Sequence, residues 1–247
     1  MVISNSTKQD WLAWRVVNRE GFFGASSASV CAGLNPYKDE VELYMEKIGL
    51  KPIKDISENL RVRYGTDAED PLRKLFELDY RGVFSIRTAP WDIVLDEKYP
   101  FIGATLDGYM EYVSDKPWTL TSPTGYVGTL YKGDLGVYEG KTALVRKKED
   151  FYGWMDMCPP WYLAQGCQQL YVTRRKYWFV NSLVELPVYK KVEDGFEQLQ
   201  FNKQSIVRHV YFIDDPVVRK SIQFVISKVI EMKRRVDLRQ MPDKKIS

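Results

Sequence analysis

The sequence predicts a single α/β domain, a mixed central β-sheet flanked by helices. Three observations predict it. Residues 8–80 are dominated by helical spacing of apolar side chains. Residues 83–142 carry short β-rich runs. A helix, further strands and a last helix then follow with no repeat or linker between them. At 247 residues the chain is one large domain or two small ones. Its 45% hydrophobic and 14% aromatic residues suffice for a full core.

In chain order, residues 8–19 read as a helix carrying Trp11, Trp14 and Val17, and Gly21 and Gly24 punctuate the turn after it. Ser26 or Ser27 can cap a short helix that runs through Cys31 to Gly33. Asn35-Pro36 signals a turn, and Lys38 to Ile48 is an amphipathic helix with Val41, Tyr44 and Ile48 on one face. Thr66-Asp-Ala-Glu69 has the form of a capping box and opens a helix to about Tyr80, with Pro71 kinking its start. Strands follow at Val83–Arg87, Trp91–Leu95, Thr105–Tyr112 and Leu135–Thr142. Between the last two, residues 114–134 are rich in Gly, Pro, Ser and Thr and read as an inserted loop or small hairpin. Pro160–Val172 is a helix, Tyr177–Leu183 and Leu186–Lys190 are paired strands, and Ile206–Ile213 is another. Asp214 or Asp215 caps a final helix with Pro216 in its first turn and a buried stripe of Val218, Ile222, Val225, Val229 and Met232. The domain spans 1–235, and 236–247 is a polar, basic, mobile tail.

Composition excludes several chemistries. The formal charge is +3, mildly basic, which leaves room for a local basic surface beside an acidic site. Cys31, Cys158 and Cys167 form no CxxC pair, so neither a zinc ribbon nor a four-cysteine cluster is expected, and each reads as a small buried hydrophobe. The one histidine, His209, sits in an apolar strand and reads as structural, which removes a catalytic triad. Neither a signal peptide nor an apolar run of about 18 residues is present, so a cytoplasmic setting is expected.

The chemistry concentrates at Asp107 and at Glu139-Gly140-Lys141. Side chains alternate along a strand, so Glu139 and Lys141 point to one side. Two carboxylates hold hard divalent cations through oxygen, and an ammonium beside them orients a water or neutralises developing charge. This set suits phosphodiester hydrolysis and favours Mg²⁺ or Mn²⁺ over Zn²⁺. An exposed strand also carries Glu and Lys on a solvated face. Glu69 lies one turn before Leu72 and two before Phe76, on their inward face, where a carboxylate needs a partner or a metal. As the fourth residue of a capping box it bonds the backbone of Thr66 instead. Tyr162, Gln165 and Gln169 form an uncharged stripe on their helix, either a shielded polar site or packed, satisfied amides. Arg15, Arg19 and Ser26 flank a Gly-rich turn at a helix start, either an anion pocket or an ordinary cap beside surface arginines. Arg146-Lys147-Lys148 either tracks a phosphate backbone or is a solvated turn.

The order of these pieces resembles the phage lambda-type exonucleases, viral recombination nucleases of the PD-(D/E)xK superfamily. The likeness runs from about Trp11 to Arg235. It is carried by Gly24-Ala-Ser26, Tyr64-Gly-Thr-Asp-Ala-Glu69, Ala104-Thr-Leu-Asp107-Gly108, Glu139-Gly-Lys141 and Tyr162-Leu-Ala-Gln165 running into Tyr171–Trp178. The resemblance implies a restriction-endonuclease-like core and Mg²⁺-dependent digestion of linear duplex DNA, 5′-to-3′ from phosphorylated ends. Asp107, Glu139 and Glu69 would hold metal, with two ions per site, and Lys141 would serve the attacking water. Tyr162 and Gln165 would support the scissile phosphate. Ser26 with Arg19, or with Arg15, would hold the terminal 5′-phosphate, Arg19 being favoured. A ring-like homo-oligomer, commonly a trimer, and a single-strand annealing recombinase are the implied protein partners. An endonuclease or flap-type enzyme on the same fold, and a non-catalytic DNA-end-binding protein, are the alternatives. The sequence departs from the family in three places: Gly140 stands for an apolar residue and should leave a gap, Thr105-Leu106 replaces a proline-containing approach, and 114–134 is inserted. The insertion's Trp118, Tyr126 and Tyr131 are either an interface patch or a loop folded onto its own domain.

Overall fold

Caps and glycines fix where the helical half begins and ends. The structure, a computed structural model, describes residues 1–53, 56, 58–192 and 195–242, with side chains described outside 189–201. Strand β1 (Val2–Ser4) leads into helix α1 (Lys8–Val17), which Thr7 caps by accepting from the Asp10 amide. Strand β2 (Phe23–Gly24) runs directly into α2 (Ala25–Cys31), whose cap is Gly24 with no side-chain bond; Ser26 and Ser27 fall inside the helix rather than capping it. Helix α3 (Glu40–Lys47) is capped by Asp39, and Gly49 at φ +80° lets the chain turn away from its end.

Helix α4 (Leu60–Asp79) starts six residues before the expected point. Asn59 is its cap, so Thr66 and Glu69 lie within the helix and the capping-box reading of Glu69 falls. The Asx cap outcompetes the box because it accepts the Arg61 amide at 3.0 Å. Pro71 sits inside the helix, where it removes one backbone donor.

The sheet half follows as β3 (Phe84–Arg87), β4 (Asp92–Leu95), β5 (Ile102–Ala104), β6 (Gly108–Tyr112), β7 (Trp118–Thr121), β8 (Val127–Leu130) and β9 (Leu135–Leu144). Then come α5 (Lys148–Asp156), which the sequence reading missed, and α6 (Pro160–Thr173). Strands β10 (Tyr177–Val192) and β11 (Gly195–Phe212) pair as one long antiparallel ribbon, not as the separate short strands expected. Pro187 interrupts the pattern in sequence but sits at a register shift, where a missing donor is tolerated. Helix α7 (Pro216–Asp237), capped by Asp215, closes the fold. It carries the chain past residue 236, and Val236 and Pro242 are buried. The supposed mobile tail is therefore structured to that point, and 243–247 lie outside the described residues.

The central sheet has the order β11-β10-β9-β6-β3, with β9 and β10 parallel and the other neighbours antiparallel. A smaller sheet, β1-β4-β5-β2, stands beside it. This is a mixed α/β domain with helices on its sheets. Along β9, Val137, Glu139 and Lys141 face α6, while Tyr138 faces Phe76 of α4 at a ring distance of 5.3 Å. The strand expected over Thr105–Tyr112 is broken: β5 ends at Ala104 and β6 starts at Gly108, which leaves Asp107 in the gap at the strand end. The insertion is the β7–β8 hairpin. Trp118 packs on Tyr80 and Phe84, and Tyr126 on Phe212, so these two rings fold onto their own domain. Only Tyr131 of the three is exposed, at 56%. Among the described residues no helix is long and apolar enough to cross a membrane.

Candidate active site

Glu139 is the centre of the site. It is 1% exposed, on the buried face of the central sheet, and a carboxylate there must be fully bonded. Three donors meet it. Lys141, two residues on and on the same face, forms an ion pair with its Oε1. Gln165 Nε2 donates to the same oxygen at 2.5 Å, and Gln169 Nε2 donates to Oε2 at 2.7 Å. Helix α6 supplies both amides because residues four apart share a face. Gln169 is itself fixed, accepting at Oε1 from the buried Trp178 indole at 2.7 Å. The Tyr/Gln stripe is thus a shielded polar site. Gln169 was visible in that stripe, but nothing in its spacing ranked it beside Gln165.

Asp107 approaches from the next strand. Gly140 N donates to its Oδ2 at 2.9 Å, so the backbone between Glu139 and Lys141 aims the second carboxylate. A Cβ on Gly140 would meet Asp107 and Tyr138 only at 3.8 Å, ordinary contact, so there is room for a side-chain carbon where the glycine stands. Burial, then the Glu139 charge, pushes the Asp107 carboxyl up to about 8. Burial alone would lower the Lys141 ammonium, but Glu139 and Asp107 outweigh it and hold it above its ordinary value. Its Nζ also lies 5.2 Å from the Tyr162 ring centroid.

Glu69 does not share the inward face of Leu72 and Phe76. It is exposed on α4, at the uncovered edge of the site. It still belongs to the rim of the site. Partial burial and the Glu139 charge raise its carboxyl, opposed by Lys141. Among the described residues no three acidic, histidine or cysteine side chains converge on one point. Asp107 and Glu139 are therefore the oxygen donors the interior offers. Mg²⁺ fits such a pair, since it takes one or two carboxylates and fills its remaining positions with water and substrate phosphate. His209 is elsewhere, with Nε2 bonded to Trp154 O at 2.8 Å. All three cysteines are free and buried.

A second polar cluster lies between α1 and α3. The Arg15 guanidinium stacks over Trp11 at 4.5 Å, and burial lowers its pKa. Trp11 in turn donates to Thr105 Oγ1 at 3.1 Å, which ties α1 to the loop before Asp107. Arg19 fills the space beside Gly49: a Cβ there would meet its guanidinium at 2.6 Å, and φ is already positive. Arg19 Nε is buried without a hydrogen-bond partner. Ser26 is exposed, and no hydrogen bond joins it to either arginine among the described residues. Lys47, which the sequence reading did not single out, sits in this cluster. Arg146, Lys147 and Lys148 are exposed where β9 gives way to α5, with Lys147 at its cap.

The YqaJ-like viral recombinase domain matches residues 10–176 of this chain, a span that includes Asp107, Glu139, Lys141, Tyr162 and Gln165. No curated protein sequence matches. Among solved structures, an alkaline exonuclease (LHK-Exo) from Laribacter hongkongensis is similar over 94% of this chain and 96% of its own, with a TM-score of 0.51 and 15% identity. LHK-Exo in complex with dAMP is similar to the same degree. At that identity the likeness is one of fold.

Proposed function

Because this chain belongs to the YqaJ-like viral recombinase domain family, of lambda exonuclease type, we propose that it is a divalent-metal-dependent DNA exonuclease. It digests linear duplex 5′-to-3′ from phosphorylated ends in phage recombination, in the cytosol of the host cell. The observation that carries the reading is Glu139, buried under Gln165, Gln169 and Lys141, with Asp107 aimed beside it by the Gly140 amide. Nothing in packing calls for two carboxylates there, and their repulsion costs stability that a bound cation would recover.

Asp107 and Glu139 would hold Mg²⁺, with Glu69 contributing from the rim, and Mn²⁺ would substitute; bound there, the metal supplies Lewis-acid polarisation of the phosphate and a more acidic water. The chain's own groups do the rest. Gln165 and Gln169 fix the Glu139 carboxylate in one orientation, so it is pre-organised before substrate arrives. Lys141, ion-paired to Glu139 on the same face of the strand, would place its ammonium to neutralise the charge developing on phosphate. The Tyr162 ring keeps that ammonium in the site throughout. No imidazole is within reach to act as base, so the attacking water loses its proton to solvent or to a carboxylate. Arg19, with Arg15 and Ser26, would receive the 5′-phosphate at the end of the strand being degraded. A ring-like homo-oligomer, a trimer by the family pattern, would keep the enzyme on its duplex, and a single-strand annealing recombinase would take the strand left behind.

The test is a time course on labelled linear and circular duplex, with 5′-phosphate or 5′-hydroxyl ends, in Mg²⁺ or EDTA. Digestion of linear duplex only, fastest from phosphorylated ends and absent in EDTA, is expected. Cutting of the circle would replace the exonuclease with an endonuclease, and binding of ends without any cutting would leave an end-binding protein.

A further inference from the structure

The cluster between α1 and α3 is a gathering of half-buried positive charge with no acid bonded into it. Lys47 is the least expected member. Its Nζ donates to the Arg19 carbonyl at 3.1 Å and to the Phe22 carbonyl, and lies 4.6 Å from the Phe23 ring centroid. An ammonium has three donors, so one remains unspent. The groups that face it are Cys31 from α2, Arg15 from α1, and Glu46 and Lys38 from its own segment. Glu46, the one carboxylate among them, is taken at both oxygens by Lys38 at 2.8 Å. Arg19, whose carbonyl Lys47 holds, carries a second unspent buried donor at its Nε. Buried cations are ordinarily paired, since an isolated one costs far more than a neutral group. Three of them without a bonded carboxylate, two with an unspent donor, describe a place suited to an anion.

We propose that Lys47 is a positioning residue for the terminal phosphate: its ammonium clamps the carbonyls of Arg19 and Phe22, which fixes the turn that carries Arg19, and adds its charge to the anion seated there. The proposal rests on the reading of Arg19 as the end-phosphate contact and extends it to a residue outside every motif of the sequence. The ligand is a DNA 5′-phosphomonoester, which is close to dianionic at neutral pH.

The clamp has a pH signature. Burial, and then the neighbouring Arg15 charge, hold the Lys47 amine down at about 8, although Cys31 opposes the shift. Lys47 is thus charged at pH 7 and largely neutral at pH 9. Cys31 does not titrate across that window, since burial raises its thiol to about 12.

The experiment measures binding, not cleavage, so it stands apart from the metal site. Fluorescence anisotropy of the full chain in EDTA compares duplexes bearing a 5′-phosphate, a 5′-hydroxyl or a 3′-phosphate, at pH 7 and pH 9. At pH 7 the parent should prefer the 5′-phosphate by about tenfold, the scale of one charge-assisted contact, and most of that preference should be gone at pH 9. Lys47→Met should show a ratio near one at both pH values. Lys47→Arg, charged at both, should keep its ratio at pH 9. If Lys47→Met does not fold, the parent's pH dependence and the arginine variant decide alone. A parental ratio that does not change with pH, a preference retained in Lys47→Met, or equal preference for a 3′-phosphate would each overturn the proposal. A protein that binds 5′-phosphates as expected yet cuts no DNA would overturn the nuclease reading and leave Lys47 in its role.

Discussion

Asp107 illustrates how a functional group is held at a cost to the fold. Its carboxyl is pushed up to about 8 by burial and by Glu139, whereas in the unfolded chain it ionises near the usual ~4. Between those values the folded state binds the extra proton, so stability falls as pH rises from ~4 to ~8. The metal-free protein should therefore melt at a higher temperature at pH 5 than at pH 8, and Mg²⁺ should narrow the difference at pH 8. Asp107→Asn should raise the metal-free melting temperature at pH 8 and abolish cleavage; unchanged cleavage would remove Asp107 from the site. Lys141→Ala should slow cleavage on the order of 10²-fold or more, the scale of one lost transition-state contact. Gln169→Leu tests the clamp. It leaves a Glu139 oxygen and the Trp178 indole unpaired, which should cost ~1–3 kcal/mol in denaturant unfolding and reduce activity as well. The motif residues were legible in the sequence because strand alternation and helix spacing are local. The capping-box reading of Glu69 failed because Asn59, not Thr66, caps α4, and its exposure was not legible because spacing places a residue on a face without showing whether anything covers it. Lys47 was not legible at all, since its carbonyl partners are more than twenty residues away.

Elements bring these residues together through a close approach. Helix α6 lies against β10 where Gly166 faces Trp178, and a Cβ on that glycine would meet the indole ring at 2.5–2.7 Å. The ring is 0% exposed and donates to Gln169, so it cannot step aside. Gly166→Ala should destabilise by ~1–3 kcal/mol despite its better helix propensity, and it should lower activity by lifting Gln165 and Gln169 off Glu139. A gain in stability would contradict the packing argument. The same approach explains what the sequence could and could not say about elements. Helix α6 was readable from Pro160 and its unbroken uncharged run. Helix α5 was not, because Lys147 offers no side-chain cap and the helix is amphipathic over only nine residues. The ribbon of β10 and β11 was underestimated because the sequence reading broke the chain at Val184-Glu185 and paired its two halves with each other, whereas both halves continue as one strand along β11.

At the scale of the whole molecule, the remaining question is what holds such an enzyme on DNA. A net charge of +3 gives weak long-range attraction to a polyanion, so a long duplex would be released before it is degraded unless something else prevents it. A closed ring does so by topology and needs a heterologous interface, two different patches on each subunit. The hairpin is a poor candidate, since Trp118 and Tyr126 are spent on its own domain. Helix α1 is a better one: Leu12, Val16 and Val17 are 45%, 68% and 83% exposed, and no residue of this helix is buried. A one-sided apolar stripe left in water marks an interaction surface more often than chance. Light scattering at micromolar concentration should give a mass near three times the 28.9 kDa of one chain. Val16→Glu with Val17→Glu should return it to monomer mass and leave the Asp107–Glu139 site able to cut. That variant should release its DNA after few turnovers, seen as short, distributed products instead of complete digestion of some molecules. A monomer mass for the parent, with and without DNA, would rule the ring out, and processive digestion by the double variant would separate processivity from assembly.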